Sequence, residues 1–180
     1  MVAGQSWGGN VVLTLAARHG GVSGVALVDG GWIHLRERFP SSDAAWEVLA
    51  PPRTDGLTMP GLLGHLRARF AGWPVGAVED VLACYEELPG GAVRSRLARP
   101  THRDIVTSMW EQDPRELYPL ADVPALLLPT SRSTDAARAA AALMPRAVVR
   151  PYPGADHDLH LQHPLSVAAD LHALSLEVDR

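Results

Sequence analysis

Cysteine is almost absent from this chain. Cys84 stands alone among 180 residues, which excludes an internal disulfide and any cysteine-based zinc site. No apolar run approaches the ~20 residues that a membrane span needs. The N-terminus lacks the basic segment and apolar stretch of a signal peptide. Positive charge is not in excess either: 16 basic against 20 acidic residues leave a formal charge of −4, so no electrostatic footprint for nucleic acid is present. What remains, 47% hydrophobic and 20% charged residues, is the composition of a globular protein with one domain, or one domain carrying an insertion. The expectation is a soluble, cytoplasmic protein that acts on a small molecule, with no nucleic-acid or membrane partner and no cofactor or metal.

The chain opens on MVAGQSWGGN, in which Gly4-Gln5-Ser6-Trp7-Gly8 spells G-x-S-x-G. That pattern sets a nucleophilic serine on a sharp turn between a strand and a helix. Glycines at 4 and 8 spare the turn side-chain bulk, and Gly9 lets the helix pack closely. The spacing of Val11, Leu15 and Ala16 predicts a helix over Trp7–His19, ended by Gly20 and Gly21. Val25–Val28 reads as a short, buried parallel strand closed by Asp29 and two glycines.

From Trp32 to Leu120 the character changes. Helical patches at Asp43–Leu49, Met59–Phe70, Val75–Leu88 and Arg103–Gln112 are separated by breakers such as APPRTDG, AGWPVG and LPGGA, with no strand-like alternation. This predicts a helical insertion over residues 32–120 between two parts of one core, 1–31 and 121–180. Trp32, Trp46, Trp73 and Trp110 are scattered through it, consistent with an aromatic, apolar pocket. The strand–helix rhythm then returns: a strand over 123–129, an alanine-rich helix over Asp135–Met144 with Thr134 or Asp135 as N-cap, a strand over 146–154, a loop through DHDLHLQHP, and a helix over Leu165–Leu176.

Eight histidines are present. His157 directly follows a Pro-Gly turn at a strand end, where an imidazole reaches a serine and shuttles its proton. His160 and His163 follow at three-residue spacing, with Asp156 and Asp158 beside them, which leaves a metal-dependent hydrolase as an alternative. His19, His34, His65, His102 and His172 are expected to be structural or surface groups.

GQSWGGNVVLTLAARHGGVSGVALVDGGW resembles the nucleophile elbow, following helix and next strand of an α/β-hydrolase, and YPGADHDLHLQHP resembles that family's histidine loop. The resemblance implies an α/β fold: the C-terminal part of a mostly parallel sheet with flanking helices, bearing a helical cap. It also implies Ser6 as nucleophile, His157 as base and the Trp7 backbone N–H as one oxyanion donor, acting on an ester, amide or C–C bond beside a carbonyl in a small apolar substrate. The triad acid usually lies just beyond the seventh strand, where Asp135 is the only carboxylate of LLLPTSRSTDAARAAAALMP. Some members carry it at the end of the sixth strand, where Asp29 stands. Asp135 is preferred and Asp29 is the alternative.

Whole members have four strands ahead of the elbow strand and a preceding loop that supplies a second oxyanion donor. Only Met1–Ala3 precede Gly4 here. The expectation is therefore a truncated or remnant core whose elbow strand forms an exposed edge. Such a chain, taken alone, is expected to self-associate through that edge and to turn over esters weakly or not at all, and a non-catalytic, partner-binding fragment is the competing reading.

Overall fold

The computed structural model describes residues 1–179. In chain order the elements are β1 (Val2–Gln5), α1 (Trp7–Arg18), β2 (Val25–Val28), α2 (Ser42–Leu49), α3 (Met59–Arg69), α4 (Ala77–Leu82), β3 (Tyr85–Glu87), β4 (Val93–Ser95), α5 (Arg99–Glu111), β5 (Ala125–Leu128), α6 (Thr134–Ala141), β6 (Ala147–Val149), α7 (Leu159–Gln162) and α8 (Pro164–Val178). Strands β1, β2, β5 and β6 form one parallel sheet in that spatial order. β2 and β5 are central, and every residue of each is buried.

The apolar runs are continuous because both faces of the sheet are covered. Successive side chains point to opposite faces, so Val25, Leu27, Ala125 and Leu127 meet Leu13 of α1 and Ala137 and Ala140 of α6. Ala26, Val28, Leu126 and Leu128 meet Leu159 of α7 and Val167 and Leu174 of α8. The result is the helix–sheet–helix layering expected of the α/β class.

β1 pairs only with β2, from Val2↔Val25 to Gln5↔Val28, and so lies at a sheet edge. The strand expected over 146–154 is shorter, Ala147–Val149, and continues as an isolated bridge between Tyr152 and Thr130. The loop expected through 156–164 contains the short helix α7.

The segment between β2 and β5 builds two small cores of its own. Leu35, Ala45, Val106 and Met109 form one, with Trp46 and Trp110 packed on it. Leu62, Leu66, Phe70 and Val93 form the other. The expectation of helices alone is corrected here: β3 and β4 make an antiparallel hairpin, with Glu86 opposite Arg94 and 2.7 Å between their charged atoms. The predicted helix over Val75–Leu88 therefore ends at Leu82. The breaker LPGGA is the hairpin's turn, closed by the Leu88 N–H to Ala92 carbonyl bond and using positive φ at Gly90 and Gly91. α5 starts four residues earlier than predicted, at Arg99, with Pro100 in its first turn, where its missing N–H is harmless.

Candidate active site

The parallel sheet brings three chain segments to one rim. The first is the turn after β1. Ser6 has φ 54° and ψ −123°, and Asp29 has φ 42°; among the described residues these are the only non-glycine positions with positive φ. Such backbone costs of order 1–3 kcal/mol per residue and persists only where the surroundings impose it. The Ser6 N–H donates to the Val28 carbonyl, and the Ser6 carbonyl accepts from the Gly9 N–H.

Glycine is required where backbones nearly touch. A Cβ at Gly4 would lie 2.1 Å from the Gly8 carbonyl oxygen, and one at Gly30 would lie 2.0 Å from the Ser6 carbonyl oxygen. Gly30 was not singled out from the sequence, whereas Gly8, which was, faces open space. Gly4 and Gly9 must be small, as the sequence suggested, and so must Gly30 on the neighbouring strand's exit.

The histidine loop is the second segment. His157 Nε2 lies 2.8 Å from Ser6 Oγ, and its Nδ1 lies 2.6 Å from Asp29 Oδ2. An ionised Asp29 accepts a hydrogen bond from Nδ1–H, and in that tautomer Nε2 is the acceptor facing the serine hydroxyl. The loop is held at both ends of its backbone. The His157 N–H donates to Asp156 Oδ1 at 2.6 Å, the His157 carbonyl accepts from Gln5 Nε2 at 3.2 Å, and the Asp156 N–H donates to Gln162 Oε1 at 2.8 Å.

The third segment, the loop after β5, carries the preferred acid candidate away from His157. Asp135 lies in the first turn of α6 with a fully exposed side chain, 3.9 Å from Arg138. The helix starts at Thr134 directly after the β5 loop, so no turn remains to send Asp135 back toward the imidazole. Asp29, the alternative, faces His157 with only 8% of its side chain exposed.

The β5 loop contributes donors in place of a carboxylate. Asp29 Oδ1 accepts from the Thr130 N–H at 3.1 Å, from the Thr130 hydroxyl at 3.3 Å and from the Ser133 hydroxyl. The N-cap position is Ser133, whose hydroxyl is turned to Asp29, so neither Thr134 nor Asp135 caps the helix. Thr130 and Ser133 were missed in the sequence; the polar run PTSRST, placed directly after a buried strand, was their signal.

Burial pushes the Asp29 carboxyl up, but the bonds from His157, Ser133 and Thr130 outweigh it and hold the group below its ordinary value. The Asp29 hydrogen bond raises His157 above the ordinary imidazole value against the opposing effect of burial. The Trp7 N–H opens α1, where it has no intrahelical acceptor and forms part of the positive end of the helix dipole.

The other histidines go elsewhere. His163 packs at a tilt against Tyr152, ring centroids 5.8 Å apart, and His160 lies in α7 with burial holding its imidazole below the ordinary value. Among the described residues no three His, Cys, Asp or Glu side chains are grouped to hold a metal ion. His34 and His102, expected to be structural, line the cavity over the serine.

That cavity measures about 1120 Å³. Ser6, His157 and Asp29 contribute polar groups to its lining, and Leu49, Val106 and Met109, from the segment between β2 and β5, contribute an apolar wall. Of the tryptophans expected at a pocket, Trp32 and Trp73 line it, whereas Trp46 and Trp110 are packed in the insertion's core. Among the described residues no helix is long and apolar enough to cross a membrane.

Several solved structures share the fold. The E-2-(acetamidomethylene)succinate hydrolase is 20% identical, with a TM-score of 0.66 over 99% of this chain and 66% of its own. An esterase from M. tuberculosis is 14% identical, with a TM-score of 0.71 over 96% of this chain and 61% of its own. A peroxisomal α/β-hydrolase from Saccharomyces cerevisiae is 13% identical, with a TM-score of 0.71 over 99% of this chain and 53% of its own. The chain thus spans just over half to about two thirds of the length of these three proteins. No curated protein sequence matches it significantly. Residues 1–171 match the sequence model described as the alpha/beta hydrolase family, and the chain belongs to that family.

Proposed function

We propose that this protein is a serine hydrolase that cleaves an ester, amide or C–C bond beside a carbonyl in a small substrate. Ser6 is the nucleophile, His157 the general base and Asp29 the acid that orients and stabilises the imidazolium. One observation carries the reading: a continuous hydrogen-bond relay of 2.8 Å from Ser6 Oγ to His157 Nε2 and 2.6 Å from His157 Nδ1 to Asp29 Oδ2.

For an ester, Ser6 Oγ attacks the carbonyl carbon as its proton passes to His157 Nε2. The Trp7 N–H stabilises the developing oxyanion. The tetrahedral intermediate collapses, the carbonyl–oxygen bond breaks, and His157 returns the proton to the leaving alcohol. Water, deprotonated by the same imidazole, then releases the acid and frees the serine. Asp29 keeps the Nδ1 proton in place throughout. The apolar part of the substrate lies against Leu49, Val106 and Met109.

Ser6→Ala and His157→Ala test the reading on a 4-nitrophenyl acyl ester. Each is expected to remove turnover while leaving the circular-dichroism spectrum and melting curve unchanged, and chelator is expected to leave the rate unchanged. Persistent turnover in Ser6→Ala would overturn the proposal, and loss of activity on chelation would transfer it to a metal site.

A further inference from the structure

The charges around the cavity are not evenly satisfied. Each lining carboxylate has a donor from this chain. Asp29 is held by His157, Thr130 and Ser133. Glu37 accepts from Arg115 at 2.6 Å, and Asp156 accepts from the His157 N–H at 2.6 Å. The two lining arginines, Arg38 and Arg132, have no such counterpart. Among the described residues neither guanidinium has a carboxylate within 4 Å or a hydrogen-bond acceptor, and Arg38 has only the Phe39 ring, at 5.5 Å.

Both arginines are exposed residues of the lining that also holds Ser6 and His157. Arg132 sits between Thr130 and Ser133, the residues bonded to Asp29, so its backbone is tied to the triad. Arg38 follows the 3₁₀ turn Leu35–Glu37, which is fixed by the buried Leu35. The chain has no lysine, and all 16 of its basic residues are arginines. Cationic recognition here therefore means a planar guanidinium fork, whose paired N–H groups match the two oxygens of a carboxylate.

We propose that the substrate is anionic, with a carboxylate held by Arg38 and Arg132 while Ser6 attacks a carbonyl elsewhere in the same molecule. The inference rests on the hydrolase reading above and narrows it. The apolar wall takes the chain between the two groups, and the arginines select for the charge.

The test compares mono-4-nitrophenyl glutarate with the neutral 4-nitrophenyl butyrate. In Arg38→Gln and Arg132→Gln, the ratio of kcat/KM for the charged ester to that for the neutral ester is expected to fall at least about tenfold, the size of effect expected for a lost charge-assisted bond. Raising the ionic strength should lower the same ratio in the wild-type chain. A ratio unmoved by both substitutions would overturn the inference while leaving the hydrolase reading standing.

If the wild-type chain turns over neither ester, glutarate is titrated directly, read by emission from Trp7, Trp32 and Trp73 in the cavity. Saturable binding that either substitution weakens about tenfold would uphold the anion site and remove only the hydrolase reading. Absence of saturable binding, or binding indifferent to both substitutions, would overturn the inference.

Discussion

The ends of β2 and β5 make an instructive pair. The strands are adjacent, parallel, buried throughout and in register, Val28 opposite Leu128, so their exits open on the same rim. β2 leaves through Asp29-Gly30-Gly31, with positive φ at Asp29 and Gly31, and turns its carboxylate onto His157. β5 leaves through Pro129 and a short loop into α6, delivers the hydroxyls of Thr130 and Ser133 to that carboxylate, and carries its own acid, Asp135, out to solvent. A carboxylate near a strand end is not enough to make a triad acid. At Asp29 the backbone bends within a residue of the strand, and short-chained Asp tolerates the left-handed conformation of that bend.

The largest expected effect separates the two strand ends. Asp29→Asn should lower kcat by ~10⁴-fold, because the histidine loses its tautomer control and the partner of its imidazolium. Asp135→Asn should change kcat by no more than about twofold, as for an exposed site away from the chemistry. Equal losses in a steady-state assay would erase the distinction between the two exits.

The pH profile sharpens the same comparison. His157 must be neutral to take the serine proton, so kcat/KM should fall as pH drops through its raised pKa. Asp29→Asn removes the main cause of that rise and leaves the lowering effect of burial. The inflection of its residual activity should therefore move to lower pH. An inflection that stays in place would mean that Asp29 does not set the imidazole's proton affinity.

The hydroxyls of the β5 exit should matter less. Thr130→Val combined with Ser133→Ala removes two of the donors to Asp29 Oδ1 but keeps the Thr130 N–H, and a rate loss of about tenfold is expected, the scale of a lost bond to a charged group. A stopped assay on the folded double variant reads this directly.

The smallest difference is one of stability. Gly30→Ala drives a methyl into the Ser6 backbone and should cost about 3 kcal/mol in chemical denaturation. Gly8→Ala meets open space and should be neutral, or stabilising by up to about 1 kcal/mol as helix propensity favours alanine.

These contrasts also mark how far the sequence was legible. The core read well because its signals are local: four-residue apolar runs bounded by glycine and proline, a serine between glycines, and a histidine after a Pro-Gly turn. β2 was predicted to the residue, and α1 to within one residue at its C-terminal end. The segment between β2 and β5 read less well. Strands of three residues, Tyr85–Glu87 and Val93–Ser95, are too short to show alternation, and their pairing rests on the Gly-Gly turn and a Glu86–Arg94 cross-strand contact. Within the site, Ser6 and His157 were visible as motifs, whereas the choice between Asp29 and Asp135 depends on the backbone angle at one residue and on the first residue of α6. Neither is a composition signal. The run PTSRST marks Thr130 and Ser133 as polar residues at a strand exit, but their role exists only once Asp29 lies within reach of their hydroxyls.

Activation of Ser6 by His157 is read most directly by covalent labelling. The chain is exposed to a fluorophosphonate probe, digested and read by mass spectrometry. The expected result is a single adduct on the peptide containing Ser6, with labelling abolished in His157→Ala and slowed strongly in Asp29→Asn. A wild-type chain that takes up no probe at Ser6, or labelling as fast in His157→Ala as in the wild type, would mean that His157 does not activate Ser6.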